Sequence, residues 1–162
     1  MEKDIRLLYN DACAQVIDII LPIQVHEFNV PITAADQPDL QDLESNYHQG
    51  GGGFWGAFVD GELVGTIALI NTGHAAGAIR KMFVKKEFRG KELGLAQALL
   101  ETLMEYSQKN GIRDLYLGTV PQLKAALRFY ERNGFAQIAV EHLPPYFPRM
   151  AVDTLFYHLE MK

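Results

Sequence analysis

Residues 82–96 read MFVKKEFRGKELGLA: the end of an apolar strand, a basic Arg-Gly turn, then the start of a helix. Its position constrains the fold more than any other feature of the chain, because three strands in succession stand before it. Phe54–Val59 and Glu62–Ile70 alternate around Asp60-Gly61, a dipeptide that demands a tight hairpin turn, and Ala78–Val84 forms the third strand. In a doubly wound dinucleotide fold the glycine turn follows the first strand, so the order of elements argues against that architecture. No GxxxxGK[ST] occurs, so a nucleoside-triphosphatase loop is not supported either. A strand aiming a turn of small residues at a helix start is nevertheless a way to cradle phosphate. Backbone amides approach the anion closely, and the helix N-terminus adds unpaired N–H groups and a favourable dipole.

The flanking pattern completes an α/β chain. Ile5–Tyr9 reads as a first strand, and Asp11 to about Phe28 has helical periodicity that Pro22 should kink or split. Asp36–Tyr47 is a weaker, polar helix, and the four glycines Gly50–Gly53 read as a flexible hinge. After the turn, Gly94 to about Lys109 is helical, with Leu95, Leu99, Leu103 and Tyr106 on one face and Asn110-Gly111 as the stop. Arg113–Gly118 is a strand, Gln122–Arg132 a helix ended by Asn133-Gly134, and Phe135–Val140 and Thr154–Glu160 are closing strands. The order β-α-α-β-β-β-α-β-α-β-β predicts a mixed, twisted sheet of about six to seven strands flanked by about four helices. At 162 residues, this reads as a single domain over 1–162.

Charge is unevenly spread. Residues 80–91 carry six basic side chains against Glu87 alone, net +5, whereas the remainder carries nine basic and nineteen acidic residues, net −10. An acidic chain with one concentrated basic patch suits a compact anion at one place, not a nucleic acid. A solvated basic loop is the bland alternative. The start MEKDIR has no apolar core of a signal peptide, and the longest apolar stretch near it, Val16–Ile23, is broken by Asp18 and Pro22 and is far too short to span a bilayer. A single cysteine, Cys13, permits no internal disulfide and fits a reducing compartment. These features lead us to expect a cytoplasmic protein with no membrane partner.

A second segment, AALRFYERNGF over Ala125–Phe135, places a tyrosine on a helix that stops at Asn-Gly. With FVKKEFRGKELGLAQALL at this spacing and in this element order, the chain resembles the GCN5-related N-acetyltransferase (GNAT) family. The resemblance is strongest from about Phe54 to Phe135 and only general over the first fifty residues. It implies acetyl-CoA as co-substrate, no metal, a small-molecule primary amine such as an amino acid or polyamine as acceptor, and direct transfer in a ternary complex. Homodimers are common in the family.

The family's pyrophosphate signature, Arg/Gln-x-x-Gly-x-Gly/Ala, aligns in two ways. Lys91 to Ala96 fits with lysine first, or Arg89-Gly90 holds its usual place with two residues inserted before Gly94. Either way Gly94, Leu95 and Ala96 are expected to offer amides to the pyrophosphate, and Arg89, Gly90 and Lys91 to complete the loop. A plain helix N-cap is the alternative for Gly94. Met82, Phe83 and Val84 fall on the strand whose backbone, in the family, pairs with the pantetheine arm and the thioester carbonyl, where an amide can face a developing oxyanion. Tyr130 matches the general acid that protonates the leaving thiolate. By periodicity alone it shares a face with Leu123 and Leu127 and would be a core tyrosine. Leu123 stands where the family often has asparagine.

The general base is unassigned. The family's strand glutamate is absent, with Arg80 and Lys81 in that strand instead, and Glu27, His26, His48, His74 and His142 are candidates by residue type only. Acceptor specificity is expected from Pro22–Gly53 and Glu141–Ala151, where Tyr146, Phe147 and Arg149 lie in a stiff proline-rich loop. Arg149 points to a carboxylate on the acceptor, the acidic remainder of the chain to a cationic amine. A metabolite-sensing module of the same fold and a protein or peptide acetyltransferase are the competing readings.

Overall fold

The computed structural model of the protein describes residues 2–161. Seven strands form one sheet in the order β1-β2-β3-β4-β5-β7-β6. They are β1 (Lys3–Leu7), β2 (Gly53–Val59), β3 (Glu62–Gly73), β4 (Ala76–Val84), β5 (Asp114–Thr119), β6 (Ala136–Ile138) and β7 (Leu155–Glu160). Three helices, α1 (Cys13–Pro22), α2 (Leu95–Lys109) and α3 (Lys124–Arg132), are supplemented by short 3₁₀ and π turns, so the expected order holds. All neighbouring strands are antiparallel except β4 and β5.

Period-two alternation sorts the sheet into two faces. Trp55, Ala57 and Val59 of β2 point to the side covered by Leu99, Leu100 and Leu103 of α2, and Tyr130 of α3 joins the same cluster. Phe54 and Phe58 point to the opposite side, where Val16, Ile19 and Ile20 of α1 pack with Leu40, Leu43 and Tyr47. Leucines 99, 100 and 103 are fully buried, each contributing about 1.5–3 kcal/mol of transfer free energy. The hairpin turns where expected, with Asp60 and Gly61 both at positive φ.

Three expectations need correction. Strand β1 begins and ends two residues earlier than expected; Leu8 is buried in the α1 core and its amide donates to the Phe54 carbonyl at 2.8 Å. The weak helix over 36–47 resolves into a 3₁₀ turn, Pro38–Gln41, and a π turn, Glu44–His48. Asp42, extended between them, accepts from the Ser45 amide at 3.0 Å and so starts a second turn instead of continuing the first. The glycine run is not a hinge. Gly53 opens β2, and a Cβ on Gly52 would lie 1.9 Å from the Leu69 carbonyl oxygen, so the segment is glycine because β3 presses against it. Pro22 acts as expected: it ends α1 by removing an amide, and the chain widens into a π turn, Ile23–Glu27.

The feature that positions the site is a fork. Strands β4 and β5 pair only from Ala76 to Ile79 against Asp114 to Leu117, and then part. Opposite β3, the β4 register shifts between Ala68↔Arg80 and Thr66↔Phe83, leaving one extra residue on β4. Lys81 sits in this bulge at φ +56°, and its carbonyl accepts from the Thr66 hydroxyl at 2.6 Å. Beyond Ile79, the β5-facing edge of β4 has no strand partner among the described residues.

Candidate active site

A cleft of about 710 Å³ runs from the fork to the start of α2. Met82, Phe83, Val84, Arg89, Gly90, Lys91, Gly94, Leu95 and Ala96 all line it, together with Phe28 of the turn after α1 and Ala125, Ala126 and Phe129 of α3. Gly94 caps α2 at φ 61°, ψ 29°, a left-handed conformation with only the Lys91 carbonyl near its would-be Cβ, at 3.7 Å. Its own carbonyl takes the Ala98 amide at 3.0 Å. The amides of Leu95, Ala96 and Gln97 have no backbone acceptor among the described residues, as expected for a first helical turn. An anion laid along this turn therefore meets unpaired donors and the positive end of the helix dipole.

The basic loop is less free than its composition implies. The Arg89 guanidinium forms a two-pronged pair with Glu27, with Nη2 donating at 2.7 Å, and Nε donates to the Val84 carbonyl at 2.8 Å. That hydrogen-bonded pair holds the Glu27 carboxyl below the usual carboxylate range. Arg89 thus ties the turn after α1 to the end of β4, whereas Lys86 and Lys91, both exposed, form no ion pair among the described residues, and Lys91 lies on the rim of the cleft.

Tyr130 is buried beneath the cleft, and its hydroxyl donates to Met82 Sδ at 3.3 Å. Burial pushes the phenol far up, so it stays protonated throughout the neutral range. Tyr130 packs as the core tyrosine that periodicity predicts, edge-on against Phe129 and Phe135, and its hydroxyl reaches Met82, which lines the cleft. Leu123, at the start of α3, lines the cleft with an aliphatic side chain.

A second cavity, of about 90 Å³, lies on the other side of the fork and shares Phe83 and Leu123 with the cleft. Its walls come from β4 (Arg80, Lys81), β5 (Gly118, Thr119), the segment after α1 (Gln24, Val30, Ile32) and the late loop (Phe147, Met150, Asp153). Lys81 Nζ donates to Gln37 Oε1 at 2.5 Å and lies 3.7 Å from Asp39 Oδ2, while Gln37 in turn donates to Gln24 at 2.9 Å. Desolvation, partly offset by the Asp39 charge, brings Lys81 down to about 8. Asp153 packs over β5 at Gly118, where any Cβ would stand 2.5 Å from its Oδ2, and burial raises its carboxyl.

The candidate bases and acceptor contacts scatter. His26 and His142 are exposed, His48 bonds the Leu8 carbonyl, His74 stacks on Tyr146, and Glu27 pairs with Arg89. None lines the second cavity. Of the late-loop candidates Phe147 lines it, whereas Tyr146 is engaged by His74 and Arg149 lies over the Phe156 ring. Arg80, Lys81 and Asp153 are the charged wall residues that sequence reasoning misses. The available signal was two cations inside an otherwise apolar strand.

Comparison with known proteins agrees with this fold. The model of the acetyltransferase (GNAT) family matches residues 17–135. N-acetylaspartate synthetase of Xenopus tropicalis is 32% identical over 132 residues, covering 79% of this chain and 48% of that protein. The chain spans about half to two thirds of the length of the curated relatives it matches. An acetyltransferase of GNAT family from Staphylococcus aureus Mu50 superposes with a TM-score of 0.96 at 37% identity, covering 99% of this chain and 100% of that one. PaiA N-acetyltransferase from Thermoplasma acidophilum, solved in complex with coenzyme A, shares the fold at a TM-score of 0.77 and 19% identity over 99% of both chains. The chain belongs to the GNAT acetyltransferase family. Among the described residues no helix is long and apolar enough to cross a membrane.

Proposed function

We propose that residues 1–162 form one N-acetyltransferase domain that moves an acetyl group from acetyl-CoA to a primary amine of a small molecule. The observation that carries this reading is the juxtaposition along one cleft of the unpaired amides at the start of α2, the open edge of β4 and the Tyr130 hydroxyl bonded to Met82. Acetyl-CoA supplies an activated acyl group and a thiol leaving group. The residues present fit such a molecule: a pyrophosphate has free amide donors at Leu95, Ala96 and Gln97, and Lys91 adds a cation at the rim, while Gly94, whose own amide donates to the Gly90 carbonyl at 3.1 Å, serves by keeping the turn open. Arg89 and Gly90 shape the loop through backbone, since the Arg89 charge is spent on Glu27.

An extended pantetheine arm runs along Met82, Phe83 and Val84 on the edge of β4 that, among the described residues, has no strand partner beyond Ile79; the Val84 carbonyl is taken by Arg89 Nε at 2.8 Å, and the edge offers an amide to the negative charge that builds on the carbonyl oxygen. The neutral amine attacks the carbonyl carbon and gives up a proton to water, the C–N bond forms, the C–S bond breaks, the departing sulfur takes the Tyr130 proton, and a proton from water restores the phenol. The fork is what makes this possible, because closing β4 onto β5 would consume the groups that hold the arm. The resemblance to N-acetylaspartate synthetase supports a small-molecule acceptor over a protein one.

Thiol release from acetyl-CoA with an amine panel tests the reading. In Tyr130→Phe, kcat is expected to fall by about 10²–10⁴-fold, with acetyl-CoA affinity kept and stability within about 1 kcal/mol of the parent. Tight acetyl-CoA binding with no turnover on any amine would instead make the chain a binding module.

A further inference from the structure

Arg80 is the one arginine on the sheet's fork, a single residue past the last paired position of β4. Its Nε is buried and donates to nothing, and the side chain has no hydrogen bond or ion pair among the described residues. Arg6 and Arg89, by contrast, are paired with Asp4 and Glu27. A buried donor of a charged group left without an acceptor is costly, so an unspent guanidinium facing a cavity is a specific invitation to an anion. Lys81, the next residue, lines the same cavity and is itself buried, beside the half-buried Arg80. The cavity, of about 90 Å³, has room for a small anionic group beside these two side chains.

On the transferase reading above, we propose that this cavity is the acceptor's carboxylate subsite. Arg80 binds the carboxylate of an amino-acid acceptor with its planar fork, Lys81 adds to the positive field, and the amine is thereby aimed past Phe83 into the acetyl-CoA cleft. A guanidinium matches a carboxylate through paired N–H groups, which fixes orientation as well as affinity. The one carboxyl in the cavity wall, Asp153, forms no ion pair with Arg80. A polyamine would place further positive charge against Arg80 and Lys81, which disfavours it.

The test compares amino acids with their decarboxylated amines: L-alanine with ethylamine, L-leucine with isoamylamine, L-lysine with cadaverine, and L-aspartate as a dicarboxylate. Binding to CoA-saturated protein is measured by calorimetry, and turnover by thiol release from acetyl-CoA. An amino acid is expected to be the best ligand in the panel, with Arg80→Gln weakening it by about 10- to 100-fold while its decarboxylated partner changes by less than about threefold. Arg80→Lys, which keeps the charge without the fork, falls between. Coenzyme A affinity serves as the folding control for both variants. Amino acids bound through Arg80 but never acetylated would overturn the transferase reading and leave the subsite standing. A best ligand without a carboxylate, no ligand in the panel, or an amino acid bound equally by Arg80→Gln would overturn the subsite.

Discussion

Lys81 concentrates the tensions of this site in one residue. It is a buried cation in a β-bulge, held at positive φ, with one strong acceptor in Gln37 and a carboxylate at 3.7 Å. A non-glycine residue in that region stores on the order of 1–3 kcal/mol, and neither the strain nor the burial serves the core. The sign of the pH effect follows from the lowered value. Below pH 8 the lysine is charged in both folded and unfolded states and the folded state bears its desolvation. Between about 8 and the ordinary 10.5 the unfolded chain binds the extra proton, so stability rises with pH across that window. Denaturation of the parent against Lys81→Met should show the parent gaining on the variant from pH 8 to 10.5, by on the order of 2–3 kcal/mol. A constant difference would mean that Lys81 is not desolvated as described. None of this is legible in the string AIRKMFV, because which way a strand residue points depends on the bulge, and the bulge is set by pairing with β3. Gly94 and Tyr130, by contrast, are legible because their surroundings are local: a helix start and a helix end written in adjacent residues.

At the scale of elements, reading works where period and punctuation coincide. The β2–β3 hairpin, α2 and α3 fall within two or three residues of expectation because Asp60-Gly61, Asn110-Gly111 and Asn133-Gly134 mark their ends. It fails over 36–53, where tertiary contacts decide. Asp42 interrupts a helix by capping the next turn, and Tyr106 of α2 reaches across to the Gly51 carbonyl at 2.7 Å, pinning a run that composition alone makes flexible. Gly52→Ala should destabilise the protein by more than about 2 kcal/mol in chemical denaturation, since the new methyl meets backbone, which cannot swing aside as a side chain would. A change within about 0.5 kcal/mol would restore the hinge. The Arg89–Glu27 pair is an element-level strap between the turn after α1 and the basic loop before α2. Both side chains remain about a quarter to a third exposed, so its worth to stability is at most about 1 kcal/mol.

For the molecule as a whole, one departure from a regular sheet organises everything else. Strands β4 and β5 pair for four residues and then separate, so a sheet that would otherwise be closed by its helices has an opening through its middle. The cleft proposed for acetyl-CoA lies on one side of that opening and the cavity with Arg80 and Lys81 on the other, and the two share Phe83 and Leu123. Order of elements, spacing of motifs and the basic cluster are enough to anticipate the cleft. The second cavity is not anticipated, because its walls come from four separated segments whose meeting is a property of the fold. A ligand that binds only the folded chain should also stabilise it: acetyl-CoA at a hundred times its dissociation constant adds about 2.7 kcal/mol.

The central claim, that the turn into α2 holds the pyrophosphate of acetyl-CoA, is tested most directly by calorimetric titration of acetyl-CoA into the parent, Gly94→Ala and Gly94→Glu. Both variants impose a side chain on the same left-handed φ, so their difference isolates the carboxylate from the strain. The account predicts saturable one-to-one binding to the parent, kept with modest loss in Gly94→Ala and abolished in Gly94→Glu. No heat of binding to a folded parent, or equal binding by all three, would contradict it and reduce the turn to a plain helix start.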